Sequence, residues 1–262
     1  MHDEGLIMRI DNQVAIITGA ASGMGAATAI ALAKSGAKIA LLDKQVDKVI
    51  KLAHELKGIG LECDVTNAIG AEHAFNQIVE ELGPPRICVN CAGICSGKLI
   101  VGNESTPMPL EEFISTIQVN LIGSFNIMRL AAAVMSKATP KGEDAECGII
   151  INTASIAAFE GQIGQIAYSA SKGGIVSMTL PAARELARYG IRVVAIAPGL
   201  VDTPMLKSLP EKVKVHLLED IPFPKRFGKV AEYANLVMHI IANPLINGTV
   251  IRLDGALRMS AR

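Results

Sequence analysis

The 262-residue chain has no tryptophan, and its rings are limited to six phenylalanines and three tyrosines. That is too few for the stacking platforms that hold single-stranded nucleic acid. Neither sign of charge is in excess, with 25 Lys plus Arg against 25 Asp plus Glu, so no global field draws the chain to nucleic acid or an anionic membrane. Long hydrophobic runs are missing as well: Gly, Pro or a charged residue interrupts each one short of the ~18–20 residues that cross a bilayer. The start, MHDEGLIMR, is acidic early and lacks the basic lead and apolar stretch of a secretory signal. A soluble cytoplasmic protein with a flexible arm over residues 1–9 is expected.

Cysteine is sparse and odd in number, five in all, and a chain of this length does not depend on cross-links. Reduced thiols follow. Cys88, Cys91 and Cys95 form a C-x2-C-x3-C cluster, but Cys88 sits in an apolar run and Cys63 and Cys147 stand alone, so no second ligand pair closes a zinc site. They are read as core thiols, with no metal.

What the chain has is apolar bulk, 50% of residues, enough for one sizeable core. Short strand-like runs alternate with longer helical patterns from end to end, without a linker or low-complexity break. This gives one α/β domain over residues 10–262. Strands are expected at Val14–Thr18, Lys38–Asp43, a short run ending at Cys63, Ile87–Asn90, Gly148–Asn152, Ile191–Ile196 and near Thr249–Arg252. Helices are expected from Met24 to about Ser35, over Ala68–Leu82, from about Leu110 to Ser136 in one piece, and over Tyr168–Tyr189. The continuous apolar run Gly148–Asn152 belongs in a parallel sheet covered on both faces. Between Pro198 and Gly228 there are five prolines and one short helical stretch, Glu211–Leu218; so long an irregular segment reads as a lid over residues 200–228.

Two constellations carry chemistry. The first is T-G-A-A-S-G-M-G at 18–25, which joins the first strand to the first helix, so that backbone N–H groups at the helix start face an anion. Gly19, Gly23 and Gly25 allow a tight turn, close approach of a pyrophosphate and close helix–strand packing, with Ser22 and Met24 between them. Asp43 ends the second strand eighteen residues after Gly25, where a carboxylate accepts hydrogen bonds from both hydroxyls of an adenosine ribose and repels a 2′-phosphate; NAD is favoured over NADP. Asp64, with Val65 beside it, either accepts an adenine amine or caps the next helix.

The second constellation is Ser155, Tyr168 and Lys172, spaced by thirteen and four residues, with Tyr168 and Lys172 on one helix face. Alcohol oxidation needs a general base, and tyrosine at its ordinary pKa of about 10 is a poor one at neutral pH. Lowering it by about three units takes roughly 4 kcal/mol of phenolate stabilisation. Lys172, one turn away, and the positive ring of an oxidised nicotinamide are the two cations for that task, and Ser155 can hold the substrate oxygen.

With C-D-V at 63–65, N-C-A-G at 90–93, V-N at 119–120, S-x12-Y-x3-K and P-G at 198–199, the chain resembles the short-chain dehydrogenase/reductase family from about Ile10 onward. The resemblance implies a single three-layer αβα domain built on a Rossmann-type doubly wound parallel sheet. It implies that Asn120 completes the catalytic set by holding a helix bend and a water that relays protons toward Lys172. Asn90, Cys91, Ala92 and Gly93 would line the adenosine side, and Pro198, Gly199, Val201 and Thr203 would approach the nicotinamide. Gly173 and Gly174 would be tolerated in their helix because a close neighbour packs there. The usual N-N-A-G is N-C-A-G here, which sets Cys91 beside the cofactor.

A narrower likeness, in the stretches 151–176 and 196–213 and in the tail from Asn243, is to the type 2 3-hydroxyacyl-CoA dehydrogenase branch, and is weaker between Ser96 and Pro109. That branch implies an NAD-dependent homotetramer, paired through the helices at 110–136 and 168–189, in fatty acid metabolism. The expected reaction is hydride transfer between a 3-hydroxyacyl-CoA and nicotinamide, with Tyr168 as base or acid. A hydroxysteroid or other apolar secondary alcohol is the alternative substrate, and a non-catalytic dinucleotide-binding scaffold the alternative class. Met205, Leu206, Leu209, Leu217, Leu218 and Ile221 would form an apolar lid or a subunit contact.

Overall fold

A computed structural model describes residues 10–207 and 210–261; the arm expected over residues 1–9 and Leu209 of the expected lid lie outside them. Val14–Thr18 (β1), Lys38–Asp43 (β2), Ile59–Glu62 (β3), Pro85–Asn90 (β4), Gly148–Thr153 (β5), Ile191–Pro198 (β6) and Val250–Leu253 (β7) form one sheet. All neighbours are parallel, in the order β3-β2-β1-β4-β5-β6-β7. Every residue of β1, β4, β5 and β6 is buried, as both-face cover demands. The third strand stops at Glu62 and leaves Cys63 just past it, buried, its N–H donating to the Asp43 carbonyl at 3.0 Å.

Alternating side chains of these strands feed two cores on opposite faces. One packs Ile16, Leu42, Cys88 and Ile150 against Ala68–Leu82 (α3), Gly123–Met135 (α5) and the far end of Ile166–Leu186 (α6). The other packs Ile17, Leu41, Val89 and Ile151 against Gly23–Lys34 (α1), Val46–Glu55 (α2) and Val230–Ala242 (α9). The result is the expected αβα sandwich. Helices α2 and α9 go beyond the sequence expectation, although α9 carries the signal plainly: Tyr233, Val237, Ile240 and Ile241 are buried at helical spacing.

The helix expected in one piece from Leu110 to Ser136 is two. Leu110–Ile117 (α4) and α5 meet at a π-helical turn, Gln118–Ile122, with Asn120 fully buried inside it. By length and composition alone Leu110–Met135 could cross a bilayer, contrary to the expectation that no stretch qualifies. Its inner face, including Ile127, Ala131 and Met135, is buried in the first core. In α6, a Cβ at Gly174 would stand 2.6 Å from the Leu121 side chain, so the close neighbour is real there, whereas Gly173 has nothing within 4 Å.

The lid segment holds a second short helix, Pro204–Lys207 (α7), before Glu211–Glu219 (α8). Leu206, Leu217 and Ile221 are buried and Met205 is exposed.

Candidate active site

The chain order of the sheet reverses between β1 and β4, which opens a crevice beyond their carboxyl ends. The glycine turn lies there. Gly19 has φ +62°, and a Cβ on it would stand 2.6 Å from Ala92 N; one on Gly25 would stand 2.3 Å from Gly19 O. No other residue fits so tight a crossing of β1, α1 and the loop after β4. Thr18, which the sequence reading passed over, ties that crossing together: its Oγ1 accepts from the N–H groups of Cys91 and Ala92, both at 3.2 Å. Ser22 takes the N-cap position of α1 without a side-chain cap bond, Met24 is in the first turn, and Gly23 has φ +57°.

Asp43 reaches the same turn from β2. Its Oδ2 accepts from Ala21 N at 3.0 Å and its Oδ1 from Gln45 N at 2.9 Å. A carboxylate has about four acceptor positions, so two remain for a ribose diol. Lys44 next to it is engaged by Asp64, Nζ to Oδ2 3.0 Å. Asp64 also accepts from the N–H and hydroxyl of Thr66 at 2.9 and 2.7 Å; burial raises its carboxyl, but these bonds and Lys44 outweigh it and hold the pKa below the ordinary value. The helix-cap alternative for Asp64 is overturned: Asn67 caps α3, accepting from Gly70 N at 3.0 Å. Val65 is buried behind it, its carbonyl taken by Asn126 at 2.9 Å.

On the other side of β4, Asn90 is buried and donates to Asn152 Oδ1 at 2.9 Å. A Cβ on Gly93 would lie 3.2 Å from Asn120 Oδ1 and 3.6 Å from Lys172 Nζ. After β6, which ends at Pro198, Gly199 packs on Asp254 and Val201 bridges to Gly228. A Cβ at Gly23 would meet the Thr203 methyl at 3.3 Å. The root of the lid thus stands over the glycine turn. These residues fit a dinucleotide: a turn of backbone donors at a helix start, a carboxylate with spare acceptors, and a small-residue wall.

Ser155, Tyr168, Lys172 and Asn120 converge at the end of β5. Ser155 lies two residues past the strand; its Oγ accepts from Ala157 N at 3.1 Å, and its hydroxyl favours the ionised form of the Tyr168 phenol. Lys172, 4% exposed, donates to the Thr153 carbonyl at 2.7 Å and stands 5.8 Å from the centre of the Tyr168 ring. Asn120 accepts from Ile94 N at 2.8 Å and donates to Ile94 O at 2.9 Å and to Ser171 Oγ at 3.0 Å. Ser171 in turn donates to Tyr168 O at 2.7 Å. The π turn therefore aims one side chain at both the loop after β4 and α6.

The ionisation differs from the sequence expectation. Burial and the nearby Cys95 push the Tyr168 phenol up to about 12, against the Ser155 bond, and burial brings Lys172 down to about 8. Inside the chain alone, desolvation decides the direction for both groups.

Two further groups belong to the site. Thr153 Oγ1 donates to Asn90 O at 2.5 Å and shares a 2.7 Å hydrogen bond with the fully buried Tyr233 hydroxyl of α9, which also approaches Cys91 Sγ at 3.7 Å. Cys88 and Cys91 pack into opposite cores and Cys95 is exposed, so the three thiols diverge. Burial pushes Cys88 up to about 12 and raises Cys91 despite its bonds to Thr153 and Tyr233.

A cleft of about 560 Å³ is lined by Leu99, Ile100 and Val101 from the loop after β4 and by Phe159, Ile163 and Ile166 from the segment that follows Ser155. Ala157 and Ser169, neighbours in sequence of the catalytic loop and of Tyr168, complete its lining, and its apolar walls suit an apolar chain.

Comparison with known proteins agrees with this geometry. The short chain dehydrogenase family profile matches residues 13–214. Several curated relatives bear the name 3-hydroxyacyl-CoA dehydrogenase type-2. That of Drosophila melanogaster is 48% identical, covering 95% of this chain and 99% of its own. That of Homo sapiens is 50% identical, covering 94% and 95%. A crystal structure of 3-hydroxyacyl-CoA dehydrogenase type-2 from Mycobacterium avium is similar with a TM-score of 0.91 at 36% identity, over 97% of this chain and 100% of that one.

Proposed function

Since the chain belongs to the short-chain dehydrogenase/reductase family, we propose that it is an oxidoreductase interconverting 3-hydroxyacyl-CoA and 3-ketoacyl-CoA with NAD. The observation that carries this reading is the convergence of Ser155, Tyr168, Lys172 and Asn120 at the end of β5, beside a dinucleotide crevice closed by Asp43; an apolar cleft is lined by residues that adjoin them in sequence. When bound, the cofactor accepts or gives the hydride and, oxidised, adds a positive charge beside Tyr168.

Every other step falls to the chain. Ser155 holds the substrate oxygen by hydrogen bonding. Tyr168 takes the hydroxyl proton in oxidation and returns it in reduction. Lys172, fixed by the Thr153 carbonyl, stabilises the phenolate and reaches the ribose. Asn120 and Lys172, which both border Gly93, would carry the water-borne proton relay. Gly19, Ser22, Gly23, Met24 and Gly25 hold the pyrophosphate, Asp43 the ribose, and Asp64, Val65 and Asn90 to Gly93 the adenosine side. Pro198, Gly199, Val201 and Thr203 hold the nicotinamide end. NAD is preferred because Asp43 repels a 2′-phosphate while Asp64 occupies Lys44. Exposed Leu110 and Ile114 on α4, Ile122 in the π turn, Phe125 on α5 and Leu180 on α6 support a homotetramer paired through these helices.

The test is oxidation of NADH at neutral pH with acetoacetyl-CoA, run beside NADPH and beside a steroid ketone. Turnover with acetoacetyl-CoA and NADH, lost in Tyr168→Phe by at least about a hundredfold while NADH still binds, is the expected result. Turnover with the steroid ketone alone would remove the acyl-CoA assignment, and undiminished turnover in Tyr168→Phe would remove the base.

A further inference from the structure

Arg252 of β7 lies outside the catalytic set, yet its guanidinium uses four of its five donors. Two go to Glu160, Nη1 to Oε1 at 2.8 Å and Nη2 to Oε2 at 2.9 Å. Nε goes to Asp254 Oδ2 at 2.6 Å, and Nη2 also to Leu257 O at 3.0 Å. The group stands 5.2 Å from the centre of the Phe159 ring. A bidentate fork, a stack and a backbone carbonyl fix one orientation, which a lysine cannot reproduce.

Glu160 follows Ser155 by five residues, and the turn between them is capped by Ser155 itself. Phe159 and Ile163, on either side of Glu160, wall the cleft. The segment is held a second time by the tail, Ile163 N donating to Ala261 O at 2.9 Å. Below, Ile156, Leu257 and the lid residue Ile221 form a small buried core of their own. Catalytic loop, tail and lid therefore meet at one place, and Arg252 ties the first two together by hydrogen bonds, with Arg258 of the tail as a longer ion-pair partner of Glu160 at 3.4 Å.

We propose that Arg252, through Glu160, is a positioning residue that sets the wall of the acyl cleft and the seat of Ser155. The proposal rests on the acyl-CoA reading for its kinetic part and on geometry alone for the rest. An isolated exposed ion pair would add little. Here both side chains are about three-quarters covered, at 23% and 26% exposure, and the order imposed falls on the residues that meet substrate.

The experiment compares Arg252→Lys, Glu160→Gln and the double variant with the parent enzyme. Three quantities are read: KM and kcat for acetoacetyl-CoA, the Kd of NADH by fluorescence, and amide exchange over residues 156–163. In Arg252→Lys the acyl KM is expected to rise by about tenfold, with a smaller loss in kcat and an unchanged NADH Kd. Exchange over 156–163 is expected to quicken by about tenfold or more. Glu160→Gln should move both readouts the same way, with the fold of each variant checked by circular dichroism, and the double variant should be no worse than Arg252→Lys. Unchanged KM and exchange in both single variants would overturn the proposal, as would a loss shared equally by NADH affinity. If the parent fails to turn over acetoacetyl-CoA, the functional reading falls, and the exchange arm still decides whether Arg252 holds the segment.

Discussion

Lys172 shows how a single residue can work against the stability of the fold it sits in. Burial lowers its pKa from 10.5 to about 8, so at neutral pH the folded chain carries a charge it would more easily carry unfolded. Because the folded pKa lies below the unfolded one, the unfolded chain binds more protons between about pH 8 and pH 10, and stability rises with pH across that window. Below pH 8 the penalty is fully present. Lys172→Met should abolish turnover, and the parent's stability relative to this variant should improve by on the order of 1–3 kcal/mol from pH 8 to pH 10. The Thr153 carbonyl loses its donor in the variant, but that offset does not depend on pH. Denaturant titrations of both proteins at the two pH values measure the change; parallel behaviour of the two would contradict the buried-charge account. At this scale, the i, i+4 spacing makes Tyr168 and Lys172 legible in sequence. The direction of the Tyr168 shift is not, since desolvation depends on what α6 is packed against.

Among the elements, α9 is the one whose role outruns its sequence signal. Its helical spacing of apolar residues marks it for burial, but the polar end of Tyr233 is fixed by position: the hydroxyl meets Thr153 of β5 and Cys91 after β4. Removing it in Tyr233→Phe leaves Thr153 bonded to Asn90 O, so the loss is one strong buried hydrogen bond and the weak contact from Cys91 Sγ. A destabilisation of about 1 kcal/mol is expected, with a Tm lower by roughly 2–4 °C, measured by thermal melting; a variant as stable as the parent would show that the hydroxyl adds nothing net. The π turn at Gln118–Ile122 teaches the same lesson. Apolar periodicity runs through it without a break, so the sequence reads as one helix. The extra residue shows once Asn120 is placed between Ile94 and Ser171.

For the whole molecule, the exposed apolar side chains on α4, α5 and α6 are the feature that a lone chain leaves unexplained. Ile114→Glu combined with Phe125→Glu places charges on that face while the buried positions of α5 remain untouched. Sedimentation should then show a species of half the parent's mass or less, with the fold retained by circular dichroism. An unchanged sedimentation coefficient would remove the proposed pairing through this face.

The sequence by itself determined the strands, the parallel sheet, the glycine turn with Asp43, and the spacing of Ser155, Tyr168 and Lys172. Each is a local pattern: runs of buried apolar residues, positions where only glycine fits, groups one helical turn apart. Tertiary structure decided what depends on residues far apart in the chain. Asn67 caps α3, and so Asp64 is free to hold Lys44. Burial, and with it the ionisation of Tyr168 and Lys172, follows from how three layers close over the end of β5. The clamp from Arg252 to Glu160 spans 92 residues, and no pattern within either segment contains it, because a hydrogen bond is set by where two chains meet and not by what lies beside each of them.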